Sequence, residues 1–450
     1  MDDTIVAIST ALGVGAISIV RLSGEEAIDI VASCFKGKNL KEVSSHTINY
    51  GHIYNEEELI DEVLVSVMKA PKTYTSEDVV EINCHGGIIA TNKILETMLT
   101  HGARLAEPGE FTKRAFLNGK IDLIKSESVM DLIDSKTEEA RKLAMSGLSG
   151  RTSQLITNFR DTLKNLLSQI EVNIDYPEYY DIEVVTEEKI KQEIAKMKKD
   201  LDYLVKISEN SMTLKNGIKT VIVGKPNVGK SSILNKLLEE DKAIVTDIAG
   251  TTRDIVEGEI NLDGILLNII DTAGIRKSED IVEQIGVEKS RSMISQADLV
   301  IVVLNNNQKL TNEDLEILEK TKNKQRIIAI NKIDLEKNID LDLNLENIIY
   351  TNTTDINGIE TLKDKIKELF KLEKLNTKDY TYLTNSRQIA LAKQANKSLL
   401  DAEKSLNDGL PVDMIEIDLT NCFETLGEII GESYKEEIID NLFANFCVGK

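Results

Sequence analysis

Cysteine and histidine are scarce in this chain, with 4 of each among 450 residues. Cys34, Cys84, Cys422 and Cys447 are scattered without a C-x-x-C pair, and His46, His52, His85 and His101 stand isolated. This spacing argues against structural zinc and against a disulfide framework, and it reads as a reduced, cytoplasmic protein. Positive charge is also in deficit: 54 Lys and Arg against 76 Asp and Glu give a net charge of −22. A surface of that sign does not grip phosphate backbones broadly, so contact with nucleic acid must be local or delegated to a partner. Long apolar runs are lacking too, and the acidic start Met-Asp-Asp-Thr has no signal-peptide pattern, so no membrane association is expected. There is no internal repeat and no low-complexity tract. What is present, 41% apolar and 29% charged residues, is ordinary for a soluble globular protein, and the length sets an expectation of two to four domains.

The chain divides by hydrophobic period. Residues 1–118 mix the two periods: Thr4–Ile8, Ile17–Leu22, Val63–Met68 and Val79–Ile82 read as strands, Glu25–Phe35 and Gly86–Leu99 as helices. This is an α+β pattern. Arg21 inside a strand, and Glu81 and His85 beside Gly86-Gly87, fit either polar strand faces and a turn or a site. Residues 119–214 are helical, with Leu155, Phe159, Leu163, Leu166 and Ile170 on one stripe. A break at Asp175-Tyr-Pro177 follows, then a second stripe runs through Ile190, Ile194, Met197, Leu201 and Leu204. Leu214-Lys-Asn-Gly217 reads as a linker. Residues 215–375 alternate strand and helix, with Ile265–Ile270, Leu299–Leu304 and Ile327–Ile330 as apolar runs suited to a parallel sheet covered on both faces. Helix returns over 376–450. The economical organisation is one discontinuous helical domain, 119–214 with 376–450, into which a doubly wound α/β domain is inserted.

The informative stretch is Ile218–Ser231. A β-branched strand runs into Gly-Lys-Pro-Asn-Val-Gly-Lys-Ser, and an apolar-striped helix follows. Strand, glycine loop and helix are the context of a P-loop. Backbone N–H groups around Asn227, Val228 and Gly229 can close on phosphates, Lys230 reaches the β- and γ-phosphates, and Ser231, with Ser232 beside it, opens the helix and offers a hydroxyl to Mg²⁺. Its companions follow in order. Thr246-Asp247-Ile248-Ala249-Gly250-Thr251-Thr252 can close over the γ-phosphate. Asp271-Thr272-Ala273-Gly274 follows an apolar strand, placing Asp271 near Mg²⁺ and the Gly274 amide near the γ-phosphate. Asn331-Lys332-Ile-Asp334 follows another, and the Asp334 carboxylate can accept both guanine N1–H and the amino group, so the nucleotide is expected to be GTP.

One further residue is missing. A Ras-like GTPase carries glutamine after D-x-x-G to orient the attacking water, and here that residue is Ile275. Glu279, Asp280, Glu283 and Glu288 lie downstream, and spacing alone does not choose among them.

With these motifs the chain resembles the MnmE (TrmE) family of bacterial tRNA-modification GTPases. The resemblance rests on Gly224-Lys-Pro-Asn-Val-Gly-Lys-Ser-Ser232, Asp247-Ile-Ala-Gly-Thr-Thr-Arg-Asp254, Gly15-Ala-Ile-Ser-Ile-Val-Arg-Leu-Ser-Gly24, Tyr74–Ile82, Glu107–Lys120 and the tail Phe446-Cys-Val-Gly-Lys450. It spans essentially the whole chain. It implies an N-terminal tetrahydrofolate-binding domain, a discontinuous helical domain and an inserted G domain. It also implies a homodimer and an FAD-dependent MnmG (GidA) partner, the pair forming a carboxymethylaminomethyl-type group on the wobble uridine of certain tRNAs. By the same resemblance Asn227, Thr246, Ile248 and Thr251 are K⁺ ligands, Ser231 and Thr252 are Mg²⁺ ligands, and Glu283 positions the water. Arg253 and Arg276 order the switches. Arg21, Glu81, Lys120 and Lys450 contact a 5-formyl- or 5,10-methylene-tetrahydrofolate. Cys447 is either a nucleophile or redox group, or a small residue packed beside the folate pocket. The sequence departs from the family at Asn352-Thr353, where a Ser-Ala base loop is usual, and at Thr10-Ala11, where Thr-Pro is usual. A GTP-dependent assembly switch for an RNA or ribosome complex, and a folate-binding scaffold, are the other readings that the motifs allow.

Overall fold

The computed structural model describes residues 3–175, 187–240, 256–270, 293–340, 345–355, 357–370, 381–433 and 436–449. The chain forms two compact units: 1–130 with 147–201 and 390–450, and 131–146 with 202–389.

The first unit carries a seven-stranded sheet in the order β3-β4-β5-β6-β2-β1-β7. Its strands are β1 (Ile5–Ile8), β2 (Ile17–Ser23), β3 (Phe35–Gly37), β4 (Thr47–Asn55), β5 (Glu58–Met68), β6 (Val79–His85) and β7 (Arg104–Leu105). Pairing is antiparallel except between β1 and β7. One face is dry: Val20, Leu22, Val65, Val80 and Ile82 pack with Val31 of α1 (Ala27–Cys34) and with Ile94 and Met98 of α2 (Ile88–Thr100). The period-2 alternation of these strands puts Arg21 and Glu81 opposite each other on β2 and β6.

Beyond the sheet, α3 (Glu110–Leu117) contributes Phe116 to a cluster with Leu123, Ile439 and Phe443 of α13 (Glu436–Phe443). The two long helical stretches on either side of 202–389 meet within this unit. Arg160 of α6 (Arg151–Asp175) lies 4.2 Å over the Phe423 ring of α12 (Val412–Ile430). Its guanidinium also donates to the Phe423 carbonyl at 3.3 Å and pairs with Glu432. Gly427 admits the guanidinium, since a Cβ there would lie 3.2 Å from it.

Helix α3 is anchored by charge as well as packing. Arg114 is fully buried, 2.7 Å from Asp3 and 3.0 Å from Glu110, while Arg104 reaches Glu110 at 2.6 Å and Asp3 at 2.6 Å. A buried guanidinium is tolerated only with such a shell of carboxylates. Hydrogen bonding from Arg104 holds the Asp3 carboxyl below its ordinary value. Burial alone would raise Glu110, but hydrogen bonds from Arg104, the Glu107 amide and Arg114 outweigh it and hold it low.

The second unit is a six-stranded sheet in the order β13-β12-β11-β8-β10-β9. Its strands are β8 (Ile218–Val223), β9 (Val256–Leu262), β10 (Ile265–Ile270), β11 (Leu299–Asn305), β12 (Arg326–Asn331) and β13 (Ile348–Thr351). All pairs are parallel except the β9–β10 hairpin. The apolar run of β11 divides by parity. Leu299, Ile301 and Val303 face Ile233, Leu234 and Leu237 of α8 (Lys230–Glu240) and Leu362 and Ile366 of α10 (Glu360–Leu369). Val300, Val302 and Leu304 face Leu318 of α9 (Asn312–Lys320). An apolar run of this kind is stable only between two helical layers.

The expected linker at Leu214–Gly217 is corrected by this fold. Residues 214–216 are the last turn of α7 (Glu187–Asn216), and Leu214 is buried in the second unit's core. The apolar stripe carries the helix on, and Gly217, at φ 76°, ends it.

Candidate functional site

The C-terminal ends of β8, β12 and β13 gather the site, as is usual for ligands of parallel sheets. Beyond β8 the chain turns through Gly224, at φ 154°, Asn227, at φ 62°, and Gly229, at φ 103°, and enters α8 at Lys230. Gly224 must lack a side chain, because a Cβ there would sit 2.5 Å from the Val303 carbonyl. Val228 is buried and pins the loop to the core, and Asn227 stands exposed at its tip. Ser231 and Ser232 are exposed on the first turn of α8.

Lys230 folds back over the loop that carries it. Its ammonium donates to the Gly224 carbonyl at 2.8 Å and the Lys225 carbonyl at 2.7 Å. Burial pushes its pKa down from the ordinary lysine value, opposed by the field of Glu313. Among the described residues no carboxylate pairs with it. A partly buried ammonium on neutral carbonyls at a helix N-terminus leaves positive charge uncompensated, which is the demand a phosphate meets.

Asn331 and Lys332 brace the same loop from β12. The Asn331 amide, fully buried, donates to the Val228 carbonyl at 3.0 Å, and its oxygen accepts from the Thr351 hydroxyl at 3.2 Å. Lys332 donates to the Asn227 carbonyl at 2.7 Å. Asn331 is therefore a strut between phosphate loop, β12 and β13, a role that its place in an N-K-x-D motif did not disclose. Asp334 is exposed beyond it. The adjoining loop is closed by the Asn352 amide on the Gly358 carbonyl at 3.0 Å. Asn352 also uses its side-chain oxygen to hold the Thr354 amide and hydroxyl at 3.1 and 2.7 Å. The residue at the Ser-Ala position thus builds an Asx turn.

Thr246, Asp247, Ile248, Ala249, Gly250, Thr251, Thr252 and Arg253 lie outside the described residues, as do Asp271, Thr272, Ala273, Gly274, Ile275, Arg276, Glu279, Asp280, Glu283, Glu288 and Lys450.

A second constellation occupies the first unit. Arg21 donates to Glu81 at 2.8 Å and to the Gly449 carbonyl at 3.3 Å, with its guanidinium 5.8 Å from the Phe111 ring centre. The Ser9 hydroxyl reaches the same Gly449 carbonyl at 3.1 Å. Gly449, at φ 89°, passes so close to Ile8 that a Cβ would strike the Ile8 carbonyl. Arg21, Glu81 and the tail are brought together. Lys120 is exposed, and its amide donates to the Ala115 carbonyl at 2.9 Å. Cys447 is exposed, whereas burial pushes the Cys34 and Cys422 thiols up to about 12 and leaves them inert. Among the described residues no group of His, Cys, Asp or Glu could hold a metal ion, and no helix is long and apolar enough to cross a membrane.

A doubly wound sheet whose central strand feeds a glycine loop and a half-buried lysine, beside a strand ending in N-K-x-D, defines a P-loop GTPase. Residues 123–447 match the family described as MnmE helical domain, and residues 4–120 the one described as GTP-binding protein TrmE N-terminus. The tRNA modification GTPase MnmE of Ligilactobacillus salivarius (strain UCC118) is 52% identical over 455 residues, covering 100% of this chain and 98% of that protein. The one from Staphylococcus aureus (strain Newman) is 52% identical over 456 residues, covering 100% and 99%. The G domain of the T. maritima FeoB iron transporter is 30% identical, covering 34% of this chain and 98% of that one, at a TM-score of 0.25. The chain belongs to the MnmE family.

Proposed function

We propose that this protein hydrolyses GTP in the cytoplasm to drive modification of tRNA. In this reading it works as a homodimer with an FAD-dependent MnmG partner and installs a carboxymethylaminomethyl-type group on the wobble uridine. Three parts divide the work: a folate-binding domain over 1–118, a helical domain over 119–214 and 376–450, and a G domain over 215–375. The observation that carries the reading is the Lys230 ammonium, held on two carbonyls with no described carboxylate against it.

In the reaction Lys230 and the N-terminal amides of α8 receive the β- and γ-phosphates, and Asp334 selects guanine. Glu283 takes the part of the absent glutamine and orients the attacking water. Mg²⁺ and K⁺, when bound, supply fixed positive charge against the charge developing on the phosphates. Asn227 fits the K⁺ role. Its carbonyl is engaged by Lys332, and its exposed side chain keeps a neutral oxygen, a donor suited to a hard monovalent cation. Ser231, exposed on the first turn of α8, offers a hydroxyl to Mg²⁺, and Thr246, Ile248, Thr251 and Thr252 complete the two shells. In the N-terminal domain, Arg21 and Glu81 fit a tetrahydrofolate derivative: one presents cationic donors and the other a carboxylate, side by side and partly exposed. Lys120 and Lys450, with Arg21, add charge for the folate's carboxylates or ring carbonyl.

GTP turnover measured in K⁺ and in Na⁺, with the wild type and with Glu283→Ala, tests the mechanism. Turnover collapses in Na⁺ and in the variant if the reading holds, and equal rates throughout overturn it. Nucleoside mass spectrometry of tRNA from cells lacking the gene tests the role, and intact wobble-uridine modification there rejects it in favour of an assembly switch. Formyl-tetrahydrofolate binding undiminished in Lys120→Ala removes Lys120 from the folate site.

A further inference from the structure

Lys225, the second residue of the phosphate loop, has a partner that no motif assigns. Its ammonium lies 2.6 Å from the Asp314 carboxylate and 3.1 Å from the Thr311 hydroxyl, at the start of α9. Asp314 is 2% exposed, and the Lys225 side chain 12%. One carboxylate oxygen, Oδ2, accepts from Lys225, from the Thr311 amide at 2.9 Å and from the Thr311 hydroxyl at 2.9 Å. The other oxygen, Oδ1, is buried, and no donor among the described residues reaches it. As a helix cap alone, Asp314 needs none of this. A capping box works with a solvated carboxylate, whereas a buried one is costly unless a cation faces it.

The backbone of Lys225 is the second half of the arrangement. Its carbonyl accepts the Lys230 ammonium at 2.7 Å, while its side chain is held by Asp314. Two charge-assisted contacts therefore meet in one residue, the Lys225 ammonium on the Asp314 carboxylate at the start of α9 and the Lys225 carbonyl under the Lys230 ammonium. Lys225 joins the two contacts through its own side chain, so the buried pair limits how far its peptide can move, while Glu313 of the same helix acts on Lys230 only through its field.

We propose that Asp314 is a positioning residue for the P-loop lysine, acting through Lys225, and that it sets the affinity for the β- and γ-phosphates of the nucleotide. This rests on the GTPase reading above. It makes α9 a structural part of the phosphate site.

The test measures GTP and GMP affinities and GTP turnover for the full-length wild type, Asp314→Asn, Lys225→Met, Lys225→Arg and the double variant Asp314→Asn/Lys225→Met. GMP lacks the phosphates that Lys230 meets, so the GTP-to-GMP affinity ratio separates positioning from general damage. The expected result is a loss of about tenfold in that ratio for Asp314→Asn and for Lys225→Met. The double variant loses no more than the worse single one, as for two residues acting through one bond, and Lys225→Arg recovers most of the loss. Equal, parallel losses for GTP and GMP, or additive losses in the double variant, overturn the proposal. So does an unchanged ratio in both single variants. A wild type that fails to turn over GTP overturns the reading under "Proposed function" instead, and is told apart by needing no variant at all.

Discussion

Gly229→Ala probes the strut between phosphate loop and base-recognition strand. Gly229 sits at φ 103°, a conformation that costs a residue with a Cβ about 1–3 kcal/mol. The new methyl would also collide with the Asn331 amide nitrogen, which donates to the Val228 carbonyl at 3.0 Å. Displacing a buried amide from its acceptor costs a further ~1–2 kcal/mol. Without nucleotide the loop can relax away from both strains, and it must recover the tight geometry to bind. The sum, ~2–5 kcal/mol, therefore falls on affinity more than on folding, and its lower end is a loss of roughly 30-fold. Titration with a fluorescent GTP analogue, with a thermal melt of the nucleotide-free protein alongside, reads both quantities. An affinity within about threefold of wild type would refute the reasoning, since strain of that size cannot hide in one.

Arg114→Met leaves the buried carboxyl of Glu110 short of a partner, and is expected to destabilise the first unit by ~3–5 kcal/mol, read as a lower urea midpoint with nucleotide affinity unchanged. The same cluster gives a pH dependence. Asp3 and Glu110 are held below their unfolded values, so the stability they contribute is complete above about pH 5 and is lost as the pH falls through their depressed pKa values. Urea midpoints of the wild type should therefore drop on acidification more steeply than those of Arg114→Met. At Gly358, a Cβ would strike the Asn352 carbonyl in the loop beside Asp334, so Gly358→Ala should weaken binding of all guanine nucleotides alike, by about tenfold, without moving the GTP-to-GMP ratio. A shifted ratio would place that loop at the phosphates rather than the base.

The phosphate loop was legible because its requirements are local. Gly224 and Gly229 sit at backbone angles that other residues resist, and Lys230 and Ser231 follow at fixed offsets in a strand–loop–helix frame. β10, β11 and β12 were legible because burial on both faces demands uninterrupted apolar runs. β4 was not, and its burial explains why. Asn49 and Gly51 point inward while Ile48 and Tyr50 point out, the reverse of the usual polarity. Gly51 is small because the Phe35 ring lies against it. α3 hid its helical stripe in the same way, since its buried positions include Glu110, Thr112 and Arg114. The bracing roles of Asn331 and Lys225 depend on partners about a hundred residues away, and no spacing within a motif carries such a bond.

The bonds at Gly449 have a consequence for the time at which this protein becomes competent. Ser9 and Gly449 are separated by 440 positions, yet they close the same corner of the first unit. At ~5–20 residues per second, a ribosome needs roughly 20–90 s between making one and making the other. Arg21 and Glu81 pair as soon as β2 and β6 exist, but the third side of their site arrives only when nearly all the intervening chain, G domain included, has emerged. A chain stopped short of Gly449 can thus carry the whole phosphate loop while the corner around Arg21 and Glu81 stays open. The joining of residue 449 to the first strands thus makes this corner of the first unit one of the last to close, an order written into the chain itself.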